Sequence, residues 1–125
     1  MKKLILLGAG GHAKSCIEVI KSKREYDIEF LVGKNNIKNN KIFSSKKIIS
    51  QANLNKFKTN KNILIAVGQL KNGLKRKKLF DFYKKKKFFF PTIIASTAYV
   101  SKSSYVDEGT IVMHKTFINC GSKIG

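Results

Sequence analysis

Apolar residues occur in short blocks along the first part of the chain, and glycine-rich or polar stretches separate the blocks. The first block, residues 3–7, ends at a glycine cluster and predicts a short buried strand. The next apolar positions have the i, i+3, i+4, i+7 spacing of one helical face: Ala13, Cys16, Ile17 and Ile20. This spacing predicts a helix over about 12–23, in which the Cys16 thiol is a core group rather than a reactive one.

The same pattern of strands and helices continues to about residue 92. The further predicted elements are a strand at 26–32, a polar loop at 33–41, a strand stub with a short helix within 42–57, a strand at 62–68, a helix at about 74–87 and an extended segment at 88–94. Leu79, Phe82 and Tyr83 are predicted to share one face of the last helix. Because strands that alternate with helices are typical of a parallel sheet, we expect a small α/β, Rossmann-like domain over residues 1–92.

A different period begins at residue 94. Aliphatic residues recur there every six positions: Ile94, Val100, Val106, Val112, Ile118 and Ile124. A small residue lies four positions after each of the first five: Ala98, Ser104, Thr110, Thr116 and Ser122. Neither a helix nor an ordinary strand has this period, whereas a left-handed parallel β-helix of hexapeptides does. We therefore expect the start of such a β-helix over 93–125; the alternative is a chance alternation in a β-rich tail.

The predicted β-helix is short for a repeat fold. Each turn takes three hexapeptides, about 18 residues, so residues 94–125 form fewer than two turns. Repeat folds need about three units to bury a continuous core. We therefore expect a truncated β-helix, from a fragment of a longer protein or a shortened gene product. Its last thirty or so residues are expected to be loose or to pair with another chain.

The net charge of +19 suggests an anionic partner. Of the 26 basic residues only Arg24 and Arg76 are arginine, and specific readers of nucleic-acid bases rely on arginine. We interpret most lysines as solvated and expect no specific nucleic-acid partner. The first apolar run stops at Gly8, too early for a secretory signal, and no run has the length of a membrane span. We expect a cytoplasmic protein with no membrane partner, in which Cys16 and Cys120 are reduced.

Residues 8–13, GAGGHA, match the G-x-G-x-x-G/A pattern between a predicted strand and a predicted helix. Glycines let the backbone approach a phosphate, and the N–H groups at a helix start carry partial positive charge, so the loop predicts an anion site. An NAD site would also need an acidic residue at the end of the second strand, where Val32 and Gly33 stand. The NAD interpretation is therefore disfavoured. His12 is either an early-turn residue or a donor to a bound phosphate or sugar.

Four stretches carry a resemblance to a known family: LLGAGGHAK, IAVGQLKN with KRKKLFDFYKK, PTIIASTAYVS, and the hexads that follow. Their order resembles bacterial sugar acyltransferases, which include sialic acid O-acetyltransferases and UDP-bacillosamine-type N-acetyltransferases. The resemblance implies that the first domain binds a nucleotide sugar or a sialic-acid-like sugar. It also implies that acetyl-CoA is held in the β-helix between subunits of a homotrimer.

The resemblance also implies roles for individual residues. Within the loop that starts at Gly8, residues Gly10, Gly11 and His12 would contact the nucleotide sugar, with Gly68 closing the pocket. The family's acidic pair near the end of the second strand is absent, and this leaves the nucleotide open. The family's catalytic histidine is expected beyond residue 125, and His114 is only a weak candidate for that role. No metal ligand set is predicted.

These observations favour the first part of an acetyl-CoA-dependent sugar O- or N-acyltransferase that acts in surface glycan synthesis. The 125-residue chain alone is expected to be inactive, because it lacks the family's catalytic base. One alternative is a stand-alone sugar-nucleotide binding or regulatory module. Another is a protein that binds nucleic acid or anionic surfaces through charge alone. The sequence leaves the acceptor sugar, the acyl group and the choice between amine and hydroxyl open.

Overall fold

In the computed structural model, residues 1–33, 47–56, 61–68 and 73–125 are described. The first elements are β1 (Lys2–Leu7), α1 (Gly11–Lys23), β2 (Tyr26–Val32), β3 (Ile48–Ile49), α2 (Gln51–Leu54), β4 (Asn62–Ile65) and α3 (Leu74–Lys85). Two-residue strands follow: β5 (Ile93–Ile94), β6 (Tyr99–Val100), β7 (Tyr105–Val106), β8 (Ile111–Val112), β9 (Phe117–Ile118) and β10 (Lys123–Ile124). The predicted strand at 26–32 and helices at 12–23 and 74–87 are confirmed to within two residues. Most of the predicted polar loop at 33–41 lies outside the described residues.

A four-stranded parallel sheet in the order β3-β2-β1-β4 forms the centre of the α/β part. Successive side chains of a strand point to opposite faces, and β1 shows this directly. Leu4 and Leu6 pack in one cluster with α1, whereas Ile5 and Leu7 pack in a second cluster with Leu54 of α2 and residues of α3. The central strand is therefore buried on both sides, as a parallel sheet covered by helices requires.

Helix α1 buries the face that its spacing predicts. Ala13, Cys16, Ile17 and Ile20 are all at most 3% exposed. Burial raises the pKa of the Cys16 thiol to about 11, so this cysteine is a core residue, as predicted. Arg24 ends the helix in the left-handed conformation, at φ 54°.

Helix α3 differs from the prediction at one position. Tyr83 is fully buried, and its hydroxyl donates to Asn55 Oδ1 at 2.9 Å. Leu79 is partly buried against the same cluster, whereas Phe82 is 43% exposed, so the residues of the predicted shared face differ in burial. The inner face follows Leu79, Phe80 and Tyr83, and Phe82 lies about 100° of helix rotation away from Tyr83.

The six short strands pair in a regular way. β5, β6 and β7 each pair in parallel with a strand 18 residues later, β8, β9 and β10 respectively. Backbone turns separate the strands, and the N–H of a predicted small residue donates to the carbonyl three residues earlier at Ala98, Ser104, Thr116 and Ser122. We call residues 93–125 the coil segment. It is neither a helix nor an extension of the four-stranded sheet.

The coil segment contacts the α/β part through both backbone and side chains. Ile93 joins the cluster of α1, and the Gly109 N–H donates to the Phe90 carbonyl at 3.1 Å. Lys84 of α3 pairs with Glu108 at 2.6 Å. The coil segment therefore packs directly against both α1 and α3. The division of the chain after residue 92 stays a prediction.

Candidate functional site

Gly8 is needed for the packing of the sheet. It follows β1 with φ +127°, a conformation that L-residues rarely adopt. A Cβ at this position would lie 2.8 Å from the backbone carbon and oxygen of Ala66, just after β4. The Gly8 N–H also donates to the Val32 carbonyl at 3.0 Å. Gly8 therefore allows the ends of β1, β2 and β4 to approach each other.

Gly10 and Gly11 lie in open space instead. A Cβ at either position would meet no atom within 4 Å. Gly10 is the N-cap of α1 and provides no side-chain cap, and the first turn of α1 carries no acidic residue. The N–H groups of that turn therefore leave a partial positive charge that a bound anion can neutralise.

A cavity of about 760 Å³ opens beside this loop; we call it the glycine-loop cavity. It lies at the carboxyl ends of β1 and β2, where open parallel sheets bind ligands. Its lining residues are Leu7, Gly8, Ala9, Gly10, Val32, Gly33, Ser50, Gln51, Val67, Lys75 and Leu79. Val32 and Gly33 offer no carboxylate there, and the polar side chains come from Ser50, Gln51 and Lys75.

A second cavity, of about 540 Å³, lies between the α/β part and the coil segment; we call it the His12 cavity. Its lining residues are His12, Ile65, Gly73, Arg76, Lys77, Phe80, Glu108, Gly109, Thr110, Ile111, Met113 and Gly125. His12 Nε2 is buried and has no hydrogen-bond partner within the described part of the chain. Burial, and secondarily the Arg76 charge, lowers the pKa of His12, so the ring favours the neutral form.

A buried unpaired imidazole nitrogen has a chemical consequence. An unsatisfied buried polar atom costs free energy, which a ligand can recover by pairing with it. The neutral ring of His12 can donate or accept one hydrogen bond at Nε2, depending on its tautomer. Arg76 provides positive charge in the same cavity, and its guanidinium donates to the Ile65 carbonyl at 3.5 Å. The cavity therefore combines a neutral polar contact with the cations Arg76 and Lys77, and its one lining carboxylate, Glu108, is paired with Lys84.

The structure brings some of the predicted site residues together and separates one. Gly68 lies beside His12, since a Cβ added to Gly68 would be 3.9 Å from the His12 Cβ. Gly8 and Gly10 line the glycine-loop cavity. His114 lies elsewhere, on an exposed corner of the coil segment, where its Nδ1 is 2.8 Å from Thr97 Oγ1. It lines neither cavity.

Sequence reasoning missed the contribution of α2 and α3. Gln51, Lys75 and Arg76 line the two cavities. Lys75 and Arg76 lie in KRKKLFDFYKK, one of the stretches that carry the resemblance, but no ligand role was predicted for them. One feature of the sequence could have drawn attention to Arg76: it is one of only two arginines among 26 basic residues. Among the described residues, no cluster of histidine, cysteine and acidic side chains could hold a metal ion. In the same residues no helix is both long and apolar enough to cross a membrane.

Solved structures with the same fold include bacterial acetyltransferases. The acetyltransferase domain of PglB from Neisseria gonorrhoeae, in complex with acetyl coenzyme A, is 27% identical, with a TM-score of 0.79 over 98% of this chain and 58% of that chain. PerB from Caulobacter crescentus, in complex with CoA and GDP-perosamine, is 23% identical, with a TM-score of 0.78 over 100% of this chain and 57% of that chain. The second likeness shows the fold alone. A search of curated proteins returned no match.

The chain thus spans less than two thirds of the length of these relatives. The α/β part of the chain also matches a family model. The family model described as the PglD N-terminal domain matches residues 3–82, which include the glycine loop, the sheet and most of α3. This match covers more than half of the chain, and the chain therefore belongs to the PglD N-terminal domain family.

Proposed function

We propose that this chain carries the nucleotide-sugar-binding part of a bacterial sugar O- or N-acyltransferase that acts in surface glycan synthesis. The family match over residues 3–82 supports the proposal, as does the PglB acetyltransferase domain at 27% identity. The observation that carries it is the unpaired His12 Nε2 beside an open helix N-terminus, with a cavity on each side. An uncharged imidazole and free backbone N–H groups suit a ligand with both phosphate and hydroxyl groups.

In this proposal the phosphates lie at Gly10 and Gly11, where no side chain intervenes. The sugar extends past His12 into the His12 cavity, and Gly68 leaves room beside that ring. The guanidinium of Arg76 faces the same cavity and offsets negative charge on the ligand. This orientation brings the sugar to the edge of the coil segment, which supplies Thr110 and Met113 to the lining.

The coil segment is proposed to be part of a left-handed β-helix in a homotrimer. The parallel pairs offset by 18 residues support a β-helix. Acetyl-CoA, bound in the PglB structure, would supply an activated acetyl group to such an enzyme. In the described part of the chain, the coil segment forms one edge of the His12 cavity and the other walls come from α1, β4 and α3, so this cavity does not by itself fit the cofactor.

The described residues support binding better than catalysis. Transfer to a sugar amine or hydroxyl needs a base that removes its proton. His114 pairs with the Thr97 hydroxyl rather than with a carboxylate and is exposed outside both cavities. We therefore propose that the 125-residue chain binds the sugar nucleotide in the cytoplasm without transferring an acetyl group. Turnover of a UDP-amino-sugar that the His114→Ala substitution abolishes would contradict this.

Calorimetric titration with UDP-N-acetylglucosamine and GDP-mannose tests the binding proposal. One of them is expected to bind the chain, and Gly10→Val is expected to abolish that binding by filling the space next to the helix start. Ser15→Val, on an exposed position of the same helix, is the matched control and should bind normally. Binding that Gly10→Val leaves unchanged, or that duplex DNA competes away at every salt concentration, would contradict the proposed site.

A further inference from the structure

Residues 74–90, which include all of α3, carry a strong local excess of positive charge. They contain eight lysine or arginine residues and one acidic residue, Asp81. Arg76 and Lys77 line the His12 cavity, and Lys84 pairs with Glu108 of the coil segment. The remaining basic residues serve neither that cavity nor that ion pair: Lys75, Lys78, Lys85, Lys86 and Lys87. The function proposed above therefore leaves most of this charge unexplained.

Three of these lysines share one face of α3 with two large apolar side chains. At about 100° of rotation per residue, five residues fall within an arc of about 100°. We call this arc the α3 outer face, and its residues are Leu74, Lys75, Lys78, Phe82 and Lys85. All five are exposed, Leu74 by 56% and Phe82 by 43%. Asp81 lies just beyond the edge of the arc, and the buried Tyr83 lies on the opposite face of the helix.

The α3 outer face combines the two features by which proteins contact an anionic phospholipid surface. Clustered lysines attract lipid phosphates, and exposed apolar side chains enter the boundary between headgroups and acyl chains. A lysine has a long apolar stem, so its ammonium can reach a phosphate while Leu74 and Phe82 enter more deeply. An open groove of about 550 Å³, lined in part by these two side chains, leaves room for a headgroup between α3 and α2.

Other partners are less complementary to this face. A nucleic acid can pair with the lysines and stack on Phe82, but it leaves the aliphatic Leu74 in water. A second copy of the same face would bring lysines against lysines, and like charges repel each other. A bilayer that contains anionic lipids both neutralises the lysines and buries the two apolar side chains.

We propose that the α3 outer face docks on the surface of an anionic phospholipid membrane. Leu74 and Phe82 enter the headgroup region, while Lys75, Lys78 and Lys85 contact lipid phosphates. The expectation of no membrane partner was based on the lack of a secretory signal and of a membrane span, and a contact at the membrane surface needs neither. Docking does not require the nucleotide sugar of the proposed function, so either can fail without the other.

Flotation of the 125-residue chain with lipid vesicles tests the inference. We expect the chain to bind vesicles of equimolar phosphatidylglycerol and phosphatidylcholine but not vesicles of phosphatidylcholine alone. Each lysine near an anionic surface contributes about fivefold to binding. The triple substitution of Lys75, Lys78 and Lys85 by glutamine should therefore weaken binding about 100-fold. Equal thermal unfolding of the variant and the unchanged chain shows that the fold is intact.

The matched control removes the same net charge from exposed positions outside α3. It replaces Lys21, Lys102 and Lys123 by glutamine. This variant should bind the anionic vesicles within about threefold of the unchanged chain, because salt screens charges that lie far from the docked face. Equal weakening by the two triple substitutions would overturn the proposal, since total charge rather than the α3 outer face would then explain the binding.

A fluorescent probe tests whether the apolar side chains enter the bilayer. The chain contains no tryptophan, so Phe82→Trp introduces a single one. Its emission should shift to shorter wavelength when anionic vesicles are added, because the ring leaves water. Phe117→Trp replaces a ring of the coil segment that is 67% exposed, and its emission should not shift. The absence of a shift at position 82, or an equal shift at both positions, would overturn the proposed docking.

Two further results would assign the face to another partner and overturn the membrane proposal. One is binding of duplex DNA that the α3 triple substitution abolishes, in a chain that does not bind anionic vesicles. The other is self-association that Phe82→Ala abolishes, again without binding to vesicles. If the chain fails to bind vesicles but still binds a nucleotide sugar, the docking surface is wrong and the proposed function stands.

Discussion

Substitution of Gly8 by alanine should destabilise the chain far more than the same substitution at Gly10. At Gly8 the backbone has φ +127°, and a new Cβ would lie 2.8 Å from the backbone of Ala66. Strain in such a region costs about 1–3 kcal/mol. Forcing the two backbones apart adds about 1–3 kcal/mol, by analogy with overpacked cores. We therefore expect Gly8→Ala to lower the free energy of unfolding by about 2–6 kcal/mol.

Gly10→Ala is the control within the same motif. Gly10 has φ −98°, which any residue adopts, and no atom lies within 4 Å of the position of a Cβ. The unfolding free energy should change by no more than about 0.5 kcal/mol. Nucleotide-sugar binding should nevertheless weaken, because the methyl group enters the space proposed for the phosphates. The two substitutions would then have different effects: Gly8→Ala would lower stability, and Gly10→Ala would weaken ligand binding.

Urea unfolding followed by circular dichroism measures both effects, with thermal unfolding as a second probe. For a chain of this size about 4 °C of Tm corresponds to 1 kcal/mol, so Gly8→Ala should lower Tm by about 8–24 °C. The reasoning is refuted if Gly8→Ala unfolds within 1 kcal/mol of the unchanged chain. It is equally refuted if Gly10→Ala is as destabilising as Gly8→Ala, since the distinction between packed and open glycines would then be wrong.

Three further predictions follow from burial. Titration by NMR should give His12 a pKa below 6.5 in the folded chain. Because the unfolded chain then takes up the proton at higher pH, the free energy of unfolding should fall as pH decreases from about 6.5 towards the folded pKa and level off below it. A free energy of unfolding that does not change over this range would contradict the prediction. At pH 8 a thiol reagent should modify Cys120 in the native chain and should reach Cys16, whose pKa is about 11, only after denaturation. Rapid reaction of both cysteines in the native chain would contradict the burial of Cys16. Tyr83→Phe should cost about 1 kcal/mol in urea unfolding, because it removes the hydrogen bond to Asn55 but keeps the ring contacts, and a cost above about 3 kcal/mol would disagree.

Most of the α/β part could be predicted because its signals are local. The spacing of Ala13, Cys16 and Ile20 fixes which face of α1 is buried, whatever the rest of the chain does. Helix α3 shows the limit of such reasoning. Its apolar residues are too many for one face, and only the packing against the sheet decides that Tyr83 points inward while Phe82 stays partly exposed.

The candidate site was less predictable, because tertiary packing assembles it. Gly8 and Gly10 are both glycines of one motif, yet only Gly8 is required by the packing of the neighbouring strand, whereas Gly10 faces open space. Gln51 and Lys75 lie 24 positions apart and meet only because α2 and α3 cover the same face of the sheet. No periodicity in the sequence predicts that these two residues line the same cavity. Sequence reasoning could therefore predict an anion site at the glycine loop but not which residues of α2 and α3 line the cavity beside it.

The distribution of charge favours recognition by individually positioned donors, rather than by total charge, at the proposed site. A net charge of +19 attracts any polyanion, but exposed charges are screened beyond about 10 Å at 0.1 M salt. Lys3 and Lys84 are exposed and paired with Asp27 and Glu108, so they add little to recognition. Arg76 differs, because it is partly buried and contacts a backbone carbonyl at the His12 cavity. Its attraction for a bound anion should survive added salt better than that of the exposed lysines, and this favours a phosphorylated sugar over other polyanions at the proposed site.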